Sequence, residues 1–226
     1  MPGQRVLIPL FPLGTVLFPG LLLPLNIFEA RYRELVRDLL EGPDDARRFG
    51  VLNIRHGREV GADSVEALYA VGTTATVSRV VEQPDGGYEV LTVGTDRFRL
   101  LELDHGRPYL RGEVELLGDP VGDEAEARAR VPELLASYRA YLTTLTASRG
   151  TSLDLPELPD QPQLLSWLVA ATVLVDPSVR QQLLEAPDTA ARLAAEITLL
   201  RTETRLLRTV SAAPAPDLTR LPQSPN

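Results

Sequence analysis

Residues 6–25 of the chain read VLIPLFPLGTVLFPGLLLPL, and this stretch decides how the amino-terminal part can fold. It carries no charge over 20 residues, a length that could cross a membrane, and Arg5 before it imitates the start of a signal peptide. However, prolines at positions 9, 12, 19 and 24 each remove a backbone donor that a continuous helix needs. No small-x-small cleavage site follows. The stretch therefore predicts buried strands and turns in a cytoplasmic protein without membrane contact.

The elements around this stretch follow from turn signals and periodicity. Arg5–Leu10 is predicted as a short strand, Phe11–Gly14 as a turn and Thr15–Phe18 as extended chain. Asn26 is expected to cap a helix that runs to about Leu40. In that helix Phe28 would lie on the apolar face together with the other apolar residues at helical spacing.

The next part of the chain, up to residue 118, has the patterning of an antiparallel sheet folded on itself. The predicted strands are Phe49–Ile54, Ala70–Gln83, Tyr88–Val93, Phe98–Leu103 and Tyr109–Leu117. The second and third are joined by a hairpin turn at Pro84–Gly87. Helical patterning is almost absent between residues 43 and 118.

The pattern changes to a helical period at Gly118–Asp123, which predicts a boundary between two units. Helices are predicted over Glu124–Ala147, Gln163–Val175, Pro177 to about Ala186, and Thr189 to about Val210. Because the second of these is almost wholly apolar, we expect it to be buried against its neighbours. The predicted organisation is a β-rich unit 1–118, a helical unit 119–210 and a disordered tail 211–226.

Composition excludes several kinds of chemistry. The chain has no cysteine and no lysine, so thiolate metal sites, cysteine nucleophiles, P-loops, Ser–Lys proteolysis and Schiff-base chemistry are all excluded. Its two histidines, His56 and His105, fall in predicted turns without a second ligand at metal-binding spacing. No serine lies in a nucleophile-elbow pattern, and Ser166 falls inside the most apolar helix. We therefore predict a non-enzymatic protein without metal or cofactor.

Charge disfavours a nucleic-acid partner. The formal net charge is −8, so a polyanion would have to bind against the overall field through a local basic patch. One such patch is conceivable on the late strands, from Arg97, Arg99, Arg107 and Arg111. Acidic residues lie close to these arginines in the sequence, so ordinary cross-strand ion pairs are the simpler interpretation.

An ordered set of motifs resembles the amino-terminal, substrate-binding domain of Lon proteases. The motifs are Ile8 to Gly20, Leu23-Pro24-Leu25, Asn26 to Arg33, Phe49 to Leu52, Gly57 to Gly61, Tyr69 to Thr73, the Asp85-Gly86 hairpin and Gly94 to Phe98. The resemblance is to the single-domain bacterial members and extends over about residues 6–210. It implies an α+β fold, a PUA-like antiparallel β pseudo-barrel followed by a carboxy-terminal helical bundle.

The same resemblance implies a function in recognising unfolded or damaged protein clients. Lon proteases continue into an ATPase module and a Ser–Lys protease, whereas this sequence ends at Asn226 and has no lysine. Degradation would then be carried out by a partner, and the chain would be a stand-alone binding module, an adaptor for an ATP-dependent protease. RNA binding and small-ligand binding by a PUA-like barrel are the alternatives.

Four residues are candidates for client binding. Phe11, Leu13 and Phe18 lie in the proline-flanked apolar segment and are expected to be partly exposed, although most of that segment should belong to the core. Phe98 should point inward and Arg97 to the opposite face of the strand, where Glu29 is the expected acidic partner. An Arg97 paired in this way is structural, and we favour that role. An Arg97 lining an open cleft would instead hold a client carboxylate or carbonyl.

Overall fold

Strand β1 (Arg5–Leu13) is paired along both of its halves. The computed structural model describes residues 3–57, 65–148 and 158–212. The first half of β1 pairs antiparallel with β7 (Arg111–Leu116), and the second half pairs in parallel with β3 (Arg48–Gly57). The predicted turn at Phe11–Gly14 is therefore wrong, because Leu10 to Leu13 hydrogen-bond as a strand beside Gly50 to Asn53.

The pairing of β1 with β3 closes the sheet on itself. The circuit runs from β1 through β7, then β6 (Tyr88–Asp104), β5 (Val71–Glu82) and β3, and back to β1. Two further strands pair outside this circuit, β2 (Leu22–Ile27) with β6 and β4 (Val65–Leu68) with β3. The long β6 replaces the two strands predicted at Tyr88–Val93 and Phe98–Leu103, and β2 and β4 were not predicted.

The interior of this circuit is filled by side chains. Leu10, Leu52, Phe98 and Val114 are fully buried there, and Phe98 points inward as predicted. A Cβ added to Gly50 would lie 2.7 Å from the Phe98 ring, which shows how closely the packing approaches the strands.

The first helix begins later than the sequence predicts. Helix α1 spans Ala30–Glu41 with Glu29 at its amino-terminal cap, whereas Asn26 belongs to β2. Pairing of Asn26 with Glu89 of β6 overrides the local capping signal. Helix α1 packs Tyr32, Leu35 and Val36 against the sheet, in one cluster with Phe11 and Phe49. A short 3-10 turn follows at Asp44–Ala46.

Every described element after Leu116 is helical. The helices are α2 (Glu124–Ser148), α3 (Pro162–Thr172), α4 (Pro177–Leu184) and α5 (Thr189–Ala212). Their core includes Leu134, Leu165, Val169 and Leu193, all fully buried. The fold class is α+β, as predicted. Helix α5 continues past Ser211, where the disordered tail was expected to begin, and residues 213–226 lie outside the described part of the chain.

The sheet and the helices share a third apolar cluster. Phe18 and Val71 from the sheet side pack with Trp167 of α3 and Leu184 of α4. No helix among the described residues is long and apolar enough to cross a membrane. The 1–118 and 119–210 division of the chain stays a prediction.

Candidate functional site

Two of the three apolar candidates are core residues. Phe11 is 7% exposed and its ring stacks on Tyr32 with centroids 4.1 Å apart. Phe18 is 1% exposed and lies 5.7 Å from the Trp167 ring. The expected partial exposure of Phe11 and Phe18 is therefore wrong, because α1 covers the first and α3 the second. Leu13 is half-buried against the cluster beneath α1.

Arg97 lies at the junction between sheet and helices, where it is 5% exposed. Its Nη1 donates to the carbonyls of Leu184 and Ala186 at 2.8 and 2.7 Å, and its Nη2 to the carbonyl of Gly118 at 2.9 Å. The carboxylate it contacts is Asp119, at 3.6 Å. The prediction of Glu29 as this partner is wrong, since Glu29 forms an ion pair with Arg31 at 3.1 Å.

A second buried arginine completes this polar junction. Arg192 of α5 lies 3.4 Å from the Asp119 carboxylate, and its guanidinium carbon lies 3.2 Å from the centre of the Trp167 ring. Trp167 donates its indole N–H to the other Asp119 oxygen at 2.9 Å. Asp119 thus links Arg97, Arg192 and Trp167, and the arrangement favours a structural role for Arg97 over client binding.

Burial shifts the pKa values of these groups in the directions that desolvation dictates. It lowers the pKa of Arg97, with Asp119 opposing the effect, and lowers the pKa of Arg192 to about 10. With a pKa of about 10, Arg192 remains charged near neutral pH. Burial also raises the pKa of Glu196 well above its ordinary value; this residue accepts a hydrogen bond from Ser166 at 3.0 Å.

The arginine patch considered for nucleic acid consists of paired residues. Arg99 lies 3.8 Å from Glu115, its register partner on β7, and Arg111 lies 2.5 Å from its register partner Asp104. Arg107 contacts Asp38 of α1 at 3.4 Å. For Arg99 and Arg111 the prediction of cross-strand ion pairs is confirmed.

No catalytic arrangement emerges among the described residues. No group of three or more His, Asp or Glu side chains there is placed to hold a metal ion. His56 and His105 are both exposed. The packed interior of the strand circuit likewise gives no support to a small-ligand site inside it.

The structure places an apolar groove on strand β2 that the sequence did not reveal. Two depressions of about 220 and 330 Å³ share Asn26 and Glu89 and together form what we call the β2 groove. Its apolar lining includes Pro24, Leu25, Val81, Leu91, Ile27, Phe28, Pro84 and Tyr88. The charged residues of the lining are one base, Arg79, and two acids, Asp85 and Glu89.

One large apolar side chain of this groove faces solvent, and a second lies next to the groove. Phe28 lines it and is 61% exposed. Leu22 is 64% exposed and lies on the same face of β2 as Pro24, two residues away, outside the lining itself. Phe28 was expected inside a helix, but it lies between the end of β2 and the start of α1. Residues 22–27 carried a signal for β2 in the sequence: a short run with apolar residues on both faces and a central proline is typical of an edge strand.

Strand β2 also has an open edge. It pairs with β6 alone among the described strands, and the Gly94 N–H donates to the Leu21 carbonyl at 2.8 Å. In an antiparallel pair, the N–H and C=O groups of successive residues point alternately toward the partner strand and away from it. The main-chain groups of Leu23, Leu25 and Ile27 therefore point toward β6. Those of Leu22 and Asn26 point toward the open edge. Pro24 has no N–H, so the edge offers fewer donors than an ordinary strand.

Comparison with known proteins identifies relatives of the whole described fold. The model of the ATP-dependent protease La (LON) substrate-binding domain matches residues 7–202. The Lon protease of Anaeromyxobacter dehalogenans is 30% identical over 203 residues, which cover 89% of this chain and 24% of that protein. The Lon protease of Escherichia coli K12 is 26% identical over 207 residues, covering 91% of this chain and 26% of that protein. The chain thus spans about a quarter of the length of these relatives.

Solved structures agree with this relationship. A Lon N-terminal domain protein from Xanthomonas campestris has a TM-score of 0.59 and 25% identity, covering 87% of this chain and 98% of that one. The N-terminal domain of Mycobacterium avium complex Lon protease has the same TM-score and coverage at 15% identity, and shows the shared fold.

Proposed function

This chain belongs to the Lon substrate-binding domain family, as its sequence resemblance predicted, and on that premise we propose that its β2 groove binds unfolded or partly folded polypeptide. The matched region is a substrate-binding domain, and the match includes no protease module. The observation that carries the proposal is an apolar groove with Phe28 exposed in its lining and Leu22 exposed beside it on the same strand. Such patches on soluble proteins are typical of interaction sites.

The shape of the groove suits an extended segment. From Leu23 to Ile27 the strand rises about 13 Å, which an extended client of about four residues would match. Side chains of the client would meet the apolar lining, and its main chain could hydrogen-bond the open-edge groups of Leu22 and Asn26. Because Pro24 has no N–H to donate, apolar contacts supply most of the affinity for the client. Such contacts discriminate little between client sequences.

Further parts of the proposal rest on the family. We propose that the circuit of five strands is the PUA-like pseudo-barrel and that the chain divides near Gly118–Asp123 into a β-rich and a helical unit. We also propose that the protein works in the cytoplasm as a non-catalytic adaptor for an ATP-dependent protease. RNA is not proposed as a ligand, because the net charge of −8 opposes it and Arg99, Arg107 and Arg111 are paired with acids.

The test is binding of a permanently unfolded probe, a fluorescein-labelled, reduced and carboxymethylated protein, followed by fluorescence anisotropy. The double variant L22S/F28S removes the exposed apolar side chain in the lining of the β2 groove and the one beside it, without touching the core. Loss of two apolar contacts of about 1.5 kcal/mol each predicts binding weakened by about a hundredfold.

The matched control is L164S/L206S, which removes two apolar side chains that are 49% and 54% exposed on α3 and α5. We expect its affinity to stay within about twofold of the unsubstituted protein. Equal loss of binding in both variants, or loss in L164S/L206S alone, would place the site elsewhere and contradict the proposal.

A further inference from the structure

A second groove runs along the helices, away from the strands. It has a volume of about 460 Å³ and lies where α2 and α5 run side by side. It is lined by small side chains of α2 and, on α5, mainly by arginines. The lining residues are Ala136, Ser137, Ala140, Arg201, Thr204, Arg205 and Arg208. We call it the α2–α5 groove.

The geometry of the groove follows from helix spacing. Arg201, Arg205 and Arg208 are four and three residues apart, so they form a row on one face of α5 about 10 Å long. The two helices run parallel. Near their starts the Ala190 N–H donates to the Val121 carbonyl, and a few turns later Arg201 forms an ion pair with Glu133. Small residues at positions 136, 137 and 140 of α2 leave open space beside the row of arginines.

The positive charge in this groove is largely unbalanced. Arg201 forms an ion pair with Glu133 at 2.7 Å. Arg205 and Arg208 are exposed and have no acidic side chain within ion-pair distance in the described ranges of the chain. Like charges one helical turn apart weaken a helix slightly, so the fold gains nothing from placing Arg205 beside Arg201. On a chain of net charge −8 this is a local basic site.

We propose that the α2–α5 groove binds an acidic polypeptide segment, whose Asp or Glu carboxylates pair with Arg205 and Arg208. Guanidinium groups present forked donors that match carboxylates, and a shallow open groove admits an extended chain. A nucleic acid is the weaker fit, since the lining has no aromatic side chain on which a base could stack. The proposal does not depend on the β2 groove, because different residues and a different chemistry carry it.

The experiment measures binding of fluorescein-labelled hexaglutamate to the full chain by anisotropy, with hexaglutamine and hexathymidylate as comparison probes. The test variant R205Q/R208Q removes both unpaired charges from the groove and keeps a polar side chain that suits a helix. The control variant R37Q/R128Q makes the same change of charge at two exposed arginines on α1 and α2 outside the groove.

The proposal predicts that hexaglutamate binds more tightly than hexaglutamine and that added salt weakens the binding. R205Q/R208Q should weaken hexaglutamate binding by about tenfold, and R37Q/R128Q by less than about twofold. L22S/F28S should leave it unchanged, which separates this site from the β2 groove.

Three outcomes would overturn the proposal. The unsubstituted protein could fail to bind hexaglutamate at millimolar concentration, or R205Q/R208Q could bind it as the unsubstituted protein does. Alternatively, hexathymidylate could bind more tightly than hexaglutamate and lose its binding in R205Q/R208Q, which would identify a nucleic-acid site.

Discussion

Replacing Arg97 by methionine should destabilise the protein more than any substitution of a surface arginine. Methionine fills similar space but donates no hydrogen bond, so the carbonyls of Leu184, Ala186 and Gly118 would lose charged donors now 2.7 to 2.9 Å away. The Asp119 carboxylate would also lose one of its two arginines. The substitution therefore loosens the contact between the sheet and the helices.

The expected magnitude follows from these contacts. Hydrogen bonds to a charged group contribute about 1.5–3 kcal/mol each, and the cost of burying the guanidinium, visible in its lowered pKa, offsets part of their sum. Removing one member of a buried ion pair costs about 3–5 kcal/mol, and we expect R97M to reduce the free energy of unfolding by that amount. For a chain of this size the Tm would fall by about 6–20 °C.

The assay is thermal and urea unfolding followed by far-ultraviolet circular dichroism, with R99M as the control. Arg99 lies two residues further along β6, has a side chain that is 54% exposed and contacts Glu115 at 3.8 Å, so its loss should cost under about 1 kcal/mol. A Tm for R97M equal to that of R99M would refute the structural role. Client binding per folded molecule should be unchanged in R97M.

Two further predictions concern the packing of the sheet. Gly94→Ala places a Cβ 2.3 Å from the Phe18 carbonyl oxygen and should lower the free energy of unfolding in urea by about 1–3 kcal/mol. The control Gly42→Ala, whose Cβ meets nothing closer than 3.5 Å, should be almost neutral. Equal stabilities of the two variants would show that the loop before β2 does not pack on Gly94. Burial, with help from a hydrogen bond to Asp38, raises the pKa of Tyr109 to about 12, so the stability that this tyrosine contributes is complete below about pH 10 and is lost between about pH 10 and 12. The variant Tyr109→Phe should therefore lose less stability over that pH range than the unsubstituted protein. Identical losses in the two proteins would contradict this prediction.

The sequence predicted elements best where local pattern and tertiary packing agree. Helix α2 was expected at Glu124–Ala147 and spans Glu124–Ser148, and β5 was expected at Ala70–Gln83 and spans Val71–Glu82. In α2 the helical spacing of the apolar residues matches the face that is buried, whereas β5 is buried on both faces from Val71 to Ala75 and its extent follows from its β-branched composition.

Predictions failed where distant parts of the chain decide local structure. Two strands were predicted at Tyr88–Val93 and Phe98–Leu103, yet β6 continues from one into the other because β5 pairs on both sides of that point. Asn26 looked like a helix cap, but pairing with Glu89 extends β2 over it. The parallel pairing of β1 with β3 has no local signal, since it joins segments about forty residues apart.

The candidate site was harder to predict than the fold. An acidic partner for Arg97 was expected, but its identity, Asp119, depends on how the helices dock on the sheet. Exposure of Leu22 and Phe28 depends on where β2 ends and α1 begins, two boundaries that tertiary pairing sets. Apolar residues in an apolar run give no indication of which of them face solvent.

The most direct measurement of polypeptide binding by the β2 groove is site-specific photo-crosslinking. A benzoylphenylalanine at position 28 replaces an aromatic side chain that is already 61% exposed, and the same residue at position 164 replaces a leucine that is 49% exposed on α3, outside both grooves. With a reduced and carboxymethylated protein as client, the account predicts strong crosslinking from position 28 and little from position 164. Crosslinking from position 164 alone, or equally from both positions, would contradict it.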